Sequence, residues 1–79
     1  MRGVVSIGDV VDLRRKLSER GLGWTVHLHD ACGAQTLSLE ALEGAAPLAQ
    51  AQGAVREFFS AKSSAVEFDE AGGTTFWLA

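Results

Sequence analysis

Residues Trp24 to Glu40 read WTVHLHDACGAQTLSLE, and the alternation within them decides the fold. On a strand, Trp24, Val26 and Leu28 point one way, while Thr25, His27 and His29 point the other. Beyond Asp30-Ala31-Cys32-Gly33 the alternation resumes. Gln35, Leu37 and Leu39 share one face, and Thr36, Ser38 and Glu40 share the opposite one. Two alternating runs around a short loop containing glycine read as a β-hairpin. One face is apolar and the other polar, as expected of an antiparallel sheet covered on one side only.

Upstream, the period is that of a helix. Ser6, followed three residues later by Asp9, reads as a capping box, with Val5 and Val10 as the hydrophobic staple across it. Ile7, Val10, Val11, Leu13 and Leu17 fall mostly on one stripe, which predicts a helix over 7–20. Asp12 with Lys16 and Arg15 with Glu19 have the i,i+4 spacing of ion pairs. Arg20 suits the last turn, and Gly21 supplies a left-handed stop. The basic cluster Arg14-Arg15-Lys16 with Arg20 is interleaved with Asp12 and Glu19, the pattern of a solvated helix face rather than a phosphate site.

Downstream, Glu43-Gly44-Ala45-Ala46 reads as a loop. Pro47 fits the first turn of a second helix, with Leu48, Ala51, Val55, Phe58, Phe59 and Lys62 as its stripe. Gly53 inside that helix costs ~1 kcal/mol against alanine, which suggests close packing on the sheet. Ser63-Ser64 ends it. A second hairpin follows at about 65–69 and 74–78, with Phe76 and Leu78 facing inward and Trp77 outward with Thr75. The element order is αββαββ. It predicts a two-layer α+β sandwich, a four-stranded, mainly antiparallel sheet with two helices on one face. Strand order does not follow from the pattern.

The chain of 79 residues makes a single α+β domain over 1–79 with no linker or low-complexity segment. Its 47% apolar content is enough for a core, and with one cysteine no internal disulfide supports it. The net charge of −3 argues against a general nucleic-acid partner. No apolar run has the length of a signal segment or of a membrane span, so no membrane partner is expected. A lone thiol fits a reducing cytoplasm.

Candidate chemistry gathers at the first hairpin. Cys32 at a loop tip beside Gly33 reads either as a reactive thiol, lowered by nearby backbone N–H groups, or as a small apolar residue tucked under the loop. His27, His29 and Cys32 are of ligand type for zinc or copper, but no second Cys/His pair accompanies them. The signal is weak, and two solvated histidines on an open sheet face are the simpler reading. Asp30 and Gly33 have a turn role of their own, the aspartate bonding its backbone and the glycine accepting positive φ. Trp77 on the open face is a platform for binding or is covered by the chain ends. There is no phosphate loop, Gly-x-Ser-x-Gly elbow, Cys-x-x-Cys or His-Glu-x-x-His motif.

The string His-Leu-His-Asp-Ala-Cys-Gly-Ala-Gln-Thr-Leu (27–37) resembles the signature of a group of small bacterial proteins, the RDAC family, named after Arg-Asp-Ala-Cys. His29 stands where that signature has arginine, so a role resting on a guanidinium does not carry over. The resemblance extends over most of the chain, through Val4 to Ser6, Phe58-Phe59 and Phe76-Trp77. It implies a bacterial, cytoplasmic protein and no particular reaction.

Together these readings describe a small binding module whose functional loop is 29–35. Its ligand or partner, a small molecule or a protein, would be met by His29, Asp30, Cys32, Gly33 and Gln35. Two alternatives stand beside it: a sulfur carrier or redox protein acting through Cys32, and a metal-binding protein using His27, His29 and Cys32. No cofactor is called for, an enzyme is the weaker expectation, and the chain is expected to be a monomer or a weak homodimer.

Overall fold

The computed structural model of the chain describes residues 4–31 and 34–79. The elements are α1 (Ile7–Glu19), β1 (Trp24–Ala31), β2 (Ala34–Ala41), α2 (Leu48–Ser60), β3 (Val66–Phe68) and β4 (Thr75–Leu78). This is the αββαββ order read from the sequence. The strands form one antiparallel sheet in the order β1-β2-β4-β3, which makes β1 and β3 its edges. Val26, Leu37, Leu39, Phe76 and Leu78 from the sheet share one core with Leu13 and Leu17 of α1 and with Ala51, Val55 and Phe59 of α2. Both helices therefore lie on the same face, α1 beside β1 and α2 beside β3. Among the described residues no helix is long and apolar enough to cross a membrane.

Helix α1 starts and stops where local chemistry dictates. The Asp9 N–H donates to Ser6 Oγ and the Ser6 N–H donates to Asp9 Oδ2, both at 3.1 Å, closing the capping box. Val5 and Val10 are both buried across it. At the far end Gly21 takes φ +64°. Its N–H bonds to the Ser18 carbonyl and the Leu22 N–H to that of Leu17, the paired bonds of a Schellman stop. The helix ends at Glu19 with Arg20 as its cap, one residue short of the span expected.

Four expectations for the helices require correction. Ile7 and Val11 do not belong to the core stripe: they are 77% and 48% exposed, while Val10, Leu13 and Leu17 are buried. At 3.6 residues per turn, Ile7 and Val11 stand roughly a quarter to a third of a turn away from that row, on the helix flank. The i,i+4 ion pairs are replaced by others. Lys16 and Arg20 both reach Glu57 on α2, at 3.4 and 2.7 Å, and Arg15 meets Asp12 at 3.7 Å. Across the interface α2 offers the Glu57 carboxylate to these two cations, and it competes with partners on α1 itself. Gly53 is exposed, with open space where a Cβ would stand, so it marks no close packing. Pro47 is the N-cap of α2 rather than a residue of its first turn.

The corner before β1 is tightly built. Gly23 has φ +72°, and a Cβ there would stand 2.9 Å from the Ala45 Cα. The Trp24 indole N–H donates to the Ala46 carbonyl at 2.7 Å, tying the start of β1 to the loop that leads into α2. At the sheet's other side, Phe76 packs edge-on against Phe59 at 6.5 Å and tilted against Phe68 at 5.2 Å. The second hairpin pairs Val66–Phe68 with Leu78–Phe76, a shorter β3 than the 65–69 expected. Asp69 lies beyond the strand and turns its carboxylate back to accept the Thr75 N–H at 3.3 Å.

Candidate functional site

The first hairpin pairs in the register Trp24↔Ala41 through Ala31↔Ala34. Pairing therefore runs closer to the tip than the four-residue loop expected, since Ala31 and Ala34 are strand residues. Cys32 and Gly33, on which the thiol reading falls, lie outside the described residues. The described residues flanking them form the base of the hairpin tip.

Gln35 carries the most specific arrangement. The Val5 N–H donates to Gln35 Oε1 at 2.9 Å, and Gln35 Nε2 donates to the Val5 carbonyl at 3.1 Å. The side-chain amide thus pairs with one residue's backbone as a neighbouring strand would. Nε2 also donates to Asp30 Oδ2 at 3.4 Å, across the hairpin. The amide expected to contact a ligand is engaged in holding the stretch before α1 against the base of the hairpin tip. Asp30 and His29 remain exposed beside it. Next to the clamped residue, Val4 is 79% exposed and Ile7 almost as open. Apolar side chains there gave no sequence signal, because valine and isoleucine next to a capping box read as helix core.

The two histidines share the open sheet face, as the alternation predicts, but their rings are held apart by different partners. His29 Nε2 lies 2.9 Å from Ser38 Oγ. His27 Nε2 lies 2.6 Å from Glu40 Oε1, a diagonal neighbour on β2. A carboxylate only accepts and a guanidinium only donates, so the Glu40 contact places the ring hydrogen on Nε2, and Nδ1 receives Arg14 Nη2 at 3.5 Å. Arg14 Nε also donates to the Val26 carbonyl at 2.7 Å, covering an acceptor on the free edge of β1. Arg14 is thus exposed, as expected of a solvated helix face, and is also a contact residue of the sheet edge. Among the described residues no group of three His, Cys, Asp or Glu side chains is placed to share a metal ion, and the third ligand expected, Cys32, is not among them.

Trp77 is half-buried on the open face, where its indole N–H donates to Glu67 Oε2 at 3.1 Å. Glu67 is its cross-strand partner in the register. The ring is thus held by the neighbouring strand.

No protein-family model, no curated protein and no solved structure matches the chain significantly.

Proposed function

We propose that this protein is a non-catalytic binding module that meets a ligand or protein partner through the tip of its first hairpin, with Cys32 as the anchoring atom. One observation supports the reading above others: the two-point clamp of Gln35 on the Val5 backbone. A side chain that fixes both sides of the tip's base holds the neighbouring groups in one geometry before any partner arrives, which lowers the ordering cost of binding. Beside the clamp stand the Asp30 carboxylate, which accepts from the same amide, the His29 imidazole and exposed apolar side chains at Val4 and Ile7. This mixture of apolar area and a few directed polar groups suits recognition. Membership of the RDAC family and a cytoplasmic location are parts of the same proposal.

The test is a fragment and peptide screen on 15N-labelled protein, with hits located by amide shifts. Hits are expected to perturb residues 29–35 together with Val4 and Val5. They should weaken in Asp30→Ala and Ile7→Asp and, for thiol-dependent hits, in Cys32→Ser. Hits that cluster elsewhere and survive these substitutions would remove the hairpin tip from consideration. Alkylation of Cys32 against pH separates anchoring from sulfur chemistry. A carrier thiol would titrate well below the ~8.5 of an ordinary cysteine.

A further inference from the structure

At the opposite edge of the sheet a cleft of about 460 Å³ runs between α2 and β3, lined by Arg56, Ser60, Ser63, Ser64, Ala65 and Val66. Three features of it belong together. The first is the strand edge. The Ala65 carbonyl accepts from the Ala79 N–H, and the Asp69 N–H donates to the Thr75 carbonyl. In an antiparallel ladder the residues between such pairs alternate, so the N–H and C=O groups of Val66 and Phe68 face away from β4, those of Val66 at the cleft and those of Phe68 further along the same edge. The second is charge. Arg56 enters none of the ion pairs among the described residues. Its guanidinium carbon is held 4.8 Å over the Phe68 ring, beside that same edge. The third is the wall. Arg56 and Ser60 are one helical turn apart on the α2 flank, and Ser63 closes the end of the cleft in a left-handed conformation at φ +59°.

We infer that this cleft binds an extended acidic peptide, which adds a fifth strand beside β3 and sets a carboxylate side chain against Arg56. Outward N–H and C=O groups at strand spacing are complementary to another strand, and a helix over the edge strand gives the added chain a second wall. An unmatched guanidinium favours a carboxylate, and the charge-assisted contact selects acidic sequences from among extended ones. The serine hydroxyls of the wall both donate and accept, so they serve side chains of either polarity. This site is separate from the hairpin tip, since β1 and β3 are the two different edges of the sheet.

The probe is a six-residue peptide of alternating valine and aspartate, acetylated and amidated, titrated into 15N-labelled protein. Shifts are expected to centre on the amides of Val66 and Phe68. Replacing aspartate by asparagine in the peptide, or Arg56 by Gln in the protein, should each weaken binding about tenfold. N-methylation of alternate peptide residues should abolish binding in one register and spare it in the other, because only one set of N–H groups faces β3. This arm leaves the protein unaltered. The inference is overturned if the peptide does not bind, if the two methylated registers bind alike, or if R56Q binds as well as the parent chain. It is overturned equally if acetate alone reproduces the shifts, which would mark a simple anion site.

Discussion

The Gln35 side chain and the Val5 backbone exchange two hydrogen bonds, at 2.9 and 3.1 Å, across 30 residues of sequence. Val5 is buried, so neither its N–H nor its carbonyl has ready access to water if the glutamine is lost. Gln35→Ala is expected to cost about 1–3 kcal/mol, the usual penalty for stranding a buried polar group. Gln35→Glu keeps the acceptor for the Val5 N–H but sets a carboxylate against the Val5 carbonyl, and should cost at least as much. Chemical denaturation measures both. Amide exchange at Val5 should accelerate in each variant before global unfolding does, and unchanged exchange there would refute the clamp.

Two glycines make opposite predictions. Gly23→Ala places a Cβ 2.9 Å from the Ala45 backbone at a positive φ, so the corner must shift. A loss of roughly 1–3 kcal/mol is expected. Gly53→Ala adds its Cβ into open space on an exposed helical face, and a gain of up to about 1 kcal/mol is expected from helix propensity. Thermal melts of the two variants should move in opposite directions.

Ser63 performs at the end of α2 the task that Gly21 performs after α1. Its N–H bonds to the Ser60 carbonyl and the Ser64 N–H to that of Phe59, with Ser63 in the left-handed region. A non-glycine residue carries strain there that glycine does not. Ser63→Gly should therefore raise stability, by up to about 1 kcal/mol after the added unfolded-state entropy is counted. For a domain of this size that is a rise of roughly 4–8 °C in Tm. A fall in Tm would show that the hydroxyl contributes more than the strain removes.

Stability should decline on the acid side. The Ser6 N–H bond is the largest influence on Asp9, followed by opposing desolvation, the Ser6 hydroxyl and Lys62; the balance holds its carboxyl below the ordinary range. Glu57 is lowered by Arg20 and then by Lys16. Both folded pKa values lie below the unfolded ones, so both contributions are fully present above the unfolded range. They fade as pH falls through the folded values, below about pH 4. Denaturation midpoints measured from pH 6 to pH 2 should drop in that window. In Asp9→Asn the drop should be shallower, and an identical slope would show that Asp9 contributes nothing to it.

Local spacing alone specified the elements and their faces. Strict alternation from Trp24 to His29 and from Gln35 to Leu39 left no other strand reading, because a pleated backbone turns successive side chains to opposite sides. Ser6, Asp9 and Gly21 marked the ends of α1 because capping acts over three to five residues and is written locally. Phe76 and Leu78 against Trp77 were legible for the same reason. What tertiary structure decided were the contacts between elements distant in the chain. The order β1-β2-β4-β3, the reach of Lys16 and Arg20 to Glu57, and the exposure of Ile7 and Val11 depend on where α1 and α2 settle over the sheet. So does the site. Gln35 read as a polar ligand contact, and only the approach of Val5 across the fold turned its amide into a clamp. A periodic pattern specifies which face is apolar, whereas the partner that covers a given side chain is set by packing between segments that no local spacing encodes.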